Sequence, residues 1–117
     1  MEVPREATLL RIFIGEDDKA DGKPLYEAIV LKARELHLAG ATVLRGPMGF
    51  GHSSHLHTTK ILRLSQDLPL VIEIVDSVEK IDAFLPILDA MMQTSGLVTL
   101  EKVQVLQYGT ARNGRSG

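Results

Sequence analysis

The chain contains no cysteine, which excludes disulfide frameworks, zinc thiolate sites, iron–sulfur clusters and cysteine nucleophiles together. It has no apolar run near the eighteen or so residues of a membrane span. The N-terminus, MEVPREATLL, carries two acids and no long apolar core, so it does not read as a secretory signal. A soluble, cytoplasmic protein is the expectation. An excess of positive charge is missing too. Thirteen Lys and Arg against fifteen Asp and Glu leave a net charge of −2, the wrong sign for non-specific binding to nucleic acid. Length sets the last bound, because 117 residues give room for one domain and not for two.

The distribution of charge says more than its sum. After Glu35 the next acid is Asp67, and the interval holds Arg45, Lys60, Arg63 and all four histidines. A second acid-free stretch follows Glu101 and carries Lys102, Arg112 and Arg115. A fold that brings the two stretches together offers an anion a locally positive site on a mildly acidic protein.

Periodicity orders the elements. Leu10, Ile12 and Ile14 alternate with Leu9, Arg11 and Phe13, which predicts a strand over Thr8 to Ile14. The run EDDKADGK reads as a polar turn, with Pro24 at the first position of a helix. Leu25, Ile29, Ala33 and Leu36 recur at helical spacing, and Gly40 stands where a left-handed cap would end that helix at Leu38 or Ala39. Ala41 to Arg45 is a short β-type run opening into a glycine-rich loop. Leu70 to Val75 is the strongest strand. Asp76 and Glu79 have the spacing of a capping box for a second helix with Val78, Ile81, Leu85, Leu88 and Met92 along one stripe, bent near Asp82 by Pro86. Leu97 to Leu106 alternates again.

The order β, α, β, β, α, β predicts an α+β, ferredoxin-like sandwich: a four-stranded antiparallel sheet with both helices on one face. The core is expected over about 8–108 and a flexible tail over 109–117. Both faces of the strand LVIEIV are apolar, so the uncovered face predicts an oligomer whose sheets face inward.

Chemistry concentrates in one segment. Gly46, Gly49 and Gly51 lie between Arg45 and His52, and close glycines allow successive N–H groups to point into one concavity, as in phosphate-binding loops. No Gly-Lys-Ser/Thr follows, and no helix of a βαβ unit follows directly, so neither a Walker loop nor a dinucleotide fingerprint is present. A glycine-rich hairpin without a ligand has the same spacing, and spacing alone leaves both readings open.

The runs IFIGEDDKADGKPLYEAIV, ATVLRGPMGFGH and DLPLVIEIVD resemble the PII-like signalling superfamily, and most closely the conserved family called domain of unknown function one-ninety. The resemblance covers Leu10 to about Tyr108. It implies a homotrimer with a protruding loop between the second and third main strands, and an adenine nucleotide or similar ligand in the cleft between subunits near the base of that loop. Arg45, Gly46 and Gly49 match the basic-then-glycine start of the PII loop, so that Arg45 to Gly51, with Phe50, is the expected phosphate cradle. Thr42 resembles a threonine that approaches the base. The second basic, glycine-rich motif of PII proteins has no counterpart in MMQTSG, and Arg112 and Arg115 are the candidates to replace it. No equivalent of the modified loop tyrosine is present. The implied function is regulation through the loop, directed at a partner protein or membrane channel, with no required cofactor.

An alternative is a metal-binding trimer resembling the copper-tolerance proteins, with His52, His55 and His57 as ligands in the spacing H-x2-H-x-H. No carboxylate lies near in sequence to complete or orient that set. Catalysis lacks the orienting acid and rigid oxyanion site that Ser53 or Ser54 would need, so a non-enzyme is expected. Glu16, Asp17, Asp18 and Asp21 read as a solvated turn without chemistry, and His37 as a favourable C-terminal helix residue.

Overall fold

Period-two alternation in the first strand becomes the centre of a sheet. The computed structural model describes residues 3–49, 68–93 and 96–109. Within them β1 spans Glu6–Gly15, β2 Lys19–Ala20, β3 Lys23–Pro24, α1 Leu25–Glu35, β4 Thr42–Arg45, β5 Pro69–Asp76, α2 Val78–Met92 and β6 Leu97–Gln104. The main sheet has the order β4-β5-β1-β6, antiparallel throughout. Register places Leu10 opposite Ile74 and Leu100, and Ile12 opposite Ile72 and Val98. Leu25, Ile29 and Ala33 of α1, with Ile81, Phe84, Leu88 and Met92 of α2, close over Leu10, Ile12, Ile14, Leu70, Ile72 and Ile74. Each of these large side chains contributes about 1.5–3 kcal/mol by leaving water. The result is the ferredoxin-like βαββαβ sandwich, with both helices on one face.

Three local expectations are corrected. The polar run after β1 is a β-ribbon: Lys19 pairs with Pro24 and Ala20 with Lys23. Its two-residue connection, Asp21 and Gly22, has φ of 52° and 79°, and positive φ at both central residues is the geometry of a type I′ hairpin, which Asp-Gly favours. Pro24 accordingly stays extended, at ψ 127°, as the N-cap and not the first helical residue.

The first helix stops at Glu35, earlier than Gly40 suggested. His37 takes the left-handed conformation at φ 63°. Its N–H donates to the Arg34 carbonyl at 3.1 Å and the Leu38 N–H to the Ala33 carbonyl at 3.0 Å, the two bonds of a Schellman motif. Leu38 wins the competition by packing against the core. Gly40 is not among the positive-φ glycines.

At the second helix the N-cap is Ser77, not Asp76: the Ser77 hydroxyl accepts from the Lys80 N–H at 3.2 Å. The helix continues through Pro86 to Met92. Gly96, at φ 78°, lets α2 turn into β6, because a Cβ there would lie 2.5 Å from Met92 Cε and 2.7 Å from the Phe13 carbonyl oxygen.

Asp76 has another task. It is fully buried, and its carboxylate accepts the Ala39 N–H at 2.9 Å and the Ser77 N–H at 2.7 Å. It thus pins the α1–β4 connection to the start of α2, where an anion also suits the helix N-terminus. Removing it leaves those amides without their charged acceptor. Asp76→Ala should lower unfolding stability by about 3 kcal/mol, and Asp76→Asn by less because its amide oxygen still accepts, read as a shift of the urea midpoint at constant m-value.

Candidate functional site

Three chain segments meet where β1 and β4 end and β5 begins, and form a neck. Gly46 N–H donates to the Pro69 carbonyl at 2.8 Å, and Glu16 N–H donates to the Leu68 carbonyl at 2.8 Å. Arg45 closes the neck through an ion pair from its Nη2 to Glu16 Oε2. The turn after β1 is fixed by the Gly15 N–H donating to Asp18 Oδ2 at 2.9 Å and by the Leu25 N–H donating to the Asp18 carbonyl at 2.8 Å. Asp18 and Glu16, read from sequence as a solvated turn, are therefore structural parts of the neck.

The glycines have a steric reason as well. A Cβ on Gly46 would stand 3.0 Å from Pro69 Cγ, and one on Gly49 would stand 3.1 Å from the same atom. Gly46 also spends its N–H on Pro69, so that amide is not available to an anion while the neck is closed. Tyr26 lies beside this cluster. Burial pushes its phenol above the usual tyrosine range, Glu27 and then Glu16 push it further, and Arg45 opposes them.

Arg45 and Thr42 do not share a face. Arg45 pairs with Leu70, a residue of the helix-covered face, and Thr42 pairs with Glu73, on the open face. They are also separated by three residues of strand rise, about 10 Å. Since β4 is an edge strand, a ligand that touched both would lie along that edge. Phe50, Gly51, His52, His55, His57, Arg112 and Arg115 lie outside the described residues. Among the described residues no group of three His, Cys, Asp or Glu is placed to hold a metal ion. Sequence reasoning missed Glu16, Pro69 and Tyr26; the only signal for Glu16 was its place directly after β1.

On the open face Arg11 donates from Nε to Glu73 Oε2 at 2.9 Å and reaches Glu101 Oε1 at 3.4 Å from Nη1. Glu73, as hydrogen-bond partner, raises the guanidinium pKa further above its ordinary value. Half-buried Leu9, Phe13, Val71 and Val75 surround that pair, and Leu44 and Leu97 are exposed beside them. Toward the far end a groove of about 600 Å³ is lined by Gly40, Thr42, Val75, Val103 and Tyr108 among others. The Tyr108 hydroxyl donates to the Ala39 carbonyl at 2.7 Å across it.

This ferredoxin-like sandwich, with a short edge strand that ends at Arg45 directly before Gly46, is a PII-like fold. Solved structures agree. A CPII protein from Thiomonas intermedia K12, determined with ADP and bicarbonate bound, superposes with a TM-score of 0.55 at 18% identity, covering 87% of this chain and 90% of that one. B. subtilis GlnK in complex with ATP gives 0.50 at 13% identity, covering 87% of this chain and 85% of its own. The chain belongs to the DUF190 family, described as an uncharacterised conserved group, which it matches over residues 7–105. It is 42% identical to a UPF0166 protein of Aquifex aeolicus over 98 residues, 84% of this chain and 91% of the relative.

The steric role of the glycines can be separated from ligand binding. Gly46→Ala should cost about 1–2 kcal/mol of stability against Pro69, and most of that cost should vanish in the background Pro69→Ala. A double-mutant cycle by chemical denaturation measures the coupling.

Proposed function

We propose that this protein is a non-enzymatic PII-like regulator that binds an adenine nucleotide at the base of the neck and signals through the segment that the neck carries. The observation that supports this best is the position of Arg45. It stands at the end of an edge strand, more than half exposed, with Gly46 and Gly49 directly beyond it. A guanidinium there is suited to phosphate oxygens, which it can meet with paired, charge-assisted hydrogen bonds. Both structural neighbours described above were determined with adenine nucleotides, which makes this ligand class the first to test. A nucleotide laid along the β4 edge has the length to bring its base toward Thr42 and its phosphates to Arg45.

The same reading calls for a homotrimer. An apolar face with a paired Arg11 at its centre is poorly suited to water, and burial against other copies removes that cost. In such an assembly the β4 edge lies near a subunit boundary, where the tail residues Arg112 and Arg115 of a neighbour would add positive charge. Ligand then favours one arrangement of the loop over another, and the favoured arrangement is what a partner protein or channel reads.

Isothermal titration with AMP, ADP, ATP and cyclic AMP, with and without magnesium, tests the ligand. One site per chain is expected for at least one of them. Arg45→Ala should weaken that binding about ten-fold or more, the loss of a charge-assisted contact, whereas Lys32→Ala, on the outer surface of α1, should leave it unchanged. Absence of heat with every nucleotide would sink the reading. Sedimentation analysis should return three chains per particle, and Val71→Asp on the open face should return one.

A further inference from the structure

Glu16 occupies the group that an anionic ligand needs. Its Oε2 holds Arg45 Nη2, and its other oxygen, Oε1, is buried with no hydrogen-bond donor among the described residues. The carboxylate is anchored from behind, since the Glu16 N–H is fixed to the Leu68 carbonyl at 2.8 Å. Among the described residues Arg45 from β4 is paired with it, and Tyr26 from α1 lies near enough to feel the charge of both. Asp18 is committed to the Gly15 N–H at 2.9 Å. Arg45 is thus the cation placed to neutralise Glu16, and Glu16 is the anion already seated on Arg45.

A pair built for stability would satisfy both carboxylate oxygens, because a buried acceptor left without a donor carries its full desolvation cost. Among the described residues one oxygen is satisfied and one is not. The two sides of the pair differ: Glu16 is mostly buried, whereas the Arg45 side chain is more than half exposed, so the guanidinium is the partner that can turn to another anion without losing its contact with water.

We infer that Glu16 is a built-in competitor for Arg45, a carboxylate that stands in for the ligand and must be displaced before a phosphate group can bind. This deepens the proposed function and rests on its assignment of Arg45 to an anion site. The consequence is selection by charge. A single carboxylate or other monoanion meets an equal in Glu16 and gains nothing by exchange. A pyrophosphate group brings more charge and more oxygens to the same guanidinium, and wins. Glu16 therefore turns a general anion site into one for di- and triphosphates. No bond is made or broken in the exchange, only an ion pair replaced by another.

Inorganic pyrophosphate and orthophosphate are the probes, titrated into the full chain and into Glu16→Gln, Glu16→Asp, Arg45→Ala and the Glu16→Gln/Arg45→Ala double variant. Binding is followed by calorimetry and by the Arg45 Nε–Hε resonance, with circular dichroism confirming that each variant is folded. Glu16→Gln should bind pyrophosphate about ten-fold more tightly than the unaltered chain and should discriminate less between pyrophosphate and orthophosphate. Glu16→Asp, which keeps the charge and shortens the reach, should also gain affinity. Adding Arg45→Ala should abolish both gains. The inference is overturned if Glu16→Gln binds no more tightly, if Glu16→Asp behaves as the unaltered chain while only Glu16→Gln gains, or if no variant binds pyrophosphate. The two readings separate cleanly. Nucleotides binding the unaltered chain and Glu16→Gln alike would remove the competitor and keep the nucleotide site. Pyrophosphate tightening on Glu16→Gln with no nucleotide bound by any variant would do the reverse.

Discussion

The parity of β1 governs the rest of the molecule. This strand is hydrogen-bonded on both sides, to β5 and to β6, so its alternation sets which residues of three strands face the helices. With Leu10, Ile12 and Ile14 inward, Arg11 must point to the open face, where Glu73 and Glu101 meet it. A slip of one residue would drive Arg11 into the apolar face that the helices close. The penalty for an unpaired buried charge is several kcal/mol, so the ion pair acts mainly as a guard on register. Everything at the strand ends, Asp76 at one and Glu16 at the other, is placed by that choice.

Those two carboxylates make an instructive contrast. Asp76 is sealed in, and accepts two backbone N–H groups below 3 Å. Neither partner can leave without opening the fold, so the group belongs to stability. Glu16 is less deeply placed. Among the described residues it has one side-chain partner, an arginine more than half exposed, and an oxygen that partner does not satisfy. The same functional group in the same sheet thus serves two ends, and satisfaction, more than burial, separates them. Asp76 is held by main-chain amides that cannot move away, whereas the partner of Glu16 is a long side chain that can turn into solvent.

Sequence reasoning reached the fold because the fold rests on long, redundant patterns. Leu10 to Ile14, LVIEIV and the stripe from Val78 to Met92 each repeat the same instruction several times, and packing follows the two strands, while in the helix it buries Ile81, Leu88 and Met92, adds Phe84 and leaves Val78 exposed. The helix ends were less legible for a physical reason. Gly40 and His37 compete for the left-handed position, and the winner is decided by whether Leu38 can reach the core, which no local pattern encodes. Asp76 and Ser77 are both good caps, and register with Thr8 removed Asp76 from the contest. The ribbon at Asp21 and Gly22 is readable in the Asp-Gly dipeptide, which favours the type I′ turn that joins its strands. At the candidate site the basic-glycine signal of Arg45 and Gly46 pointed to the right corner. Its partners came from 29 and 23 residues away, Glu16 and Pro69, and a contact between distant segments leaves no trace in spacing.

The neck joins these threads. It is made of backbone bonds that hold Gly46 to Pro69 and Glu16 to Leu68, with one side-chain pair laid over them. The backbone bonds fix where the two stems of the intervening segment leave the sheet. The side-chain pair can exchange without disturbing them, because Arg45 is long and Glu16 hangs from an anchored main chain. A site arranged in this way separates support from response: the frame is set by main-chain hydrogen bonds, and the variable part is a charge contact at the surface. Signals are best carried by such a part. On the proposed reading its two states would differ in one ion pair, an energy that a bound polyphosphate would supply, with the sandwich beneath the same in both.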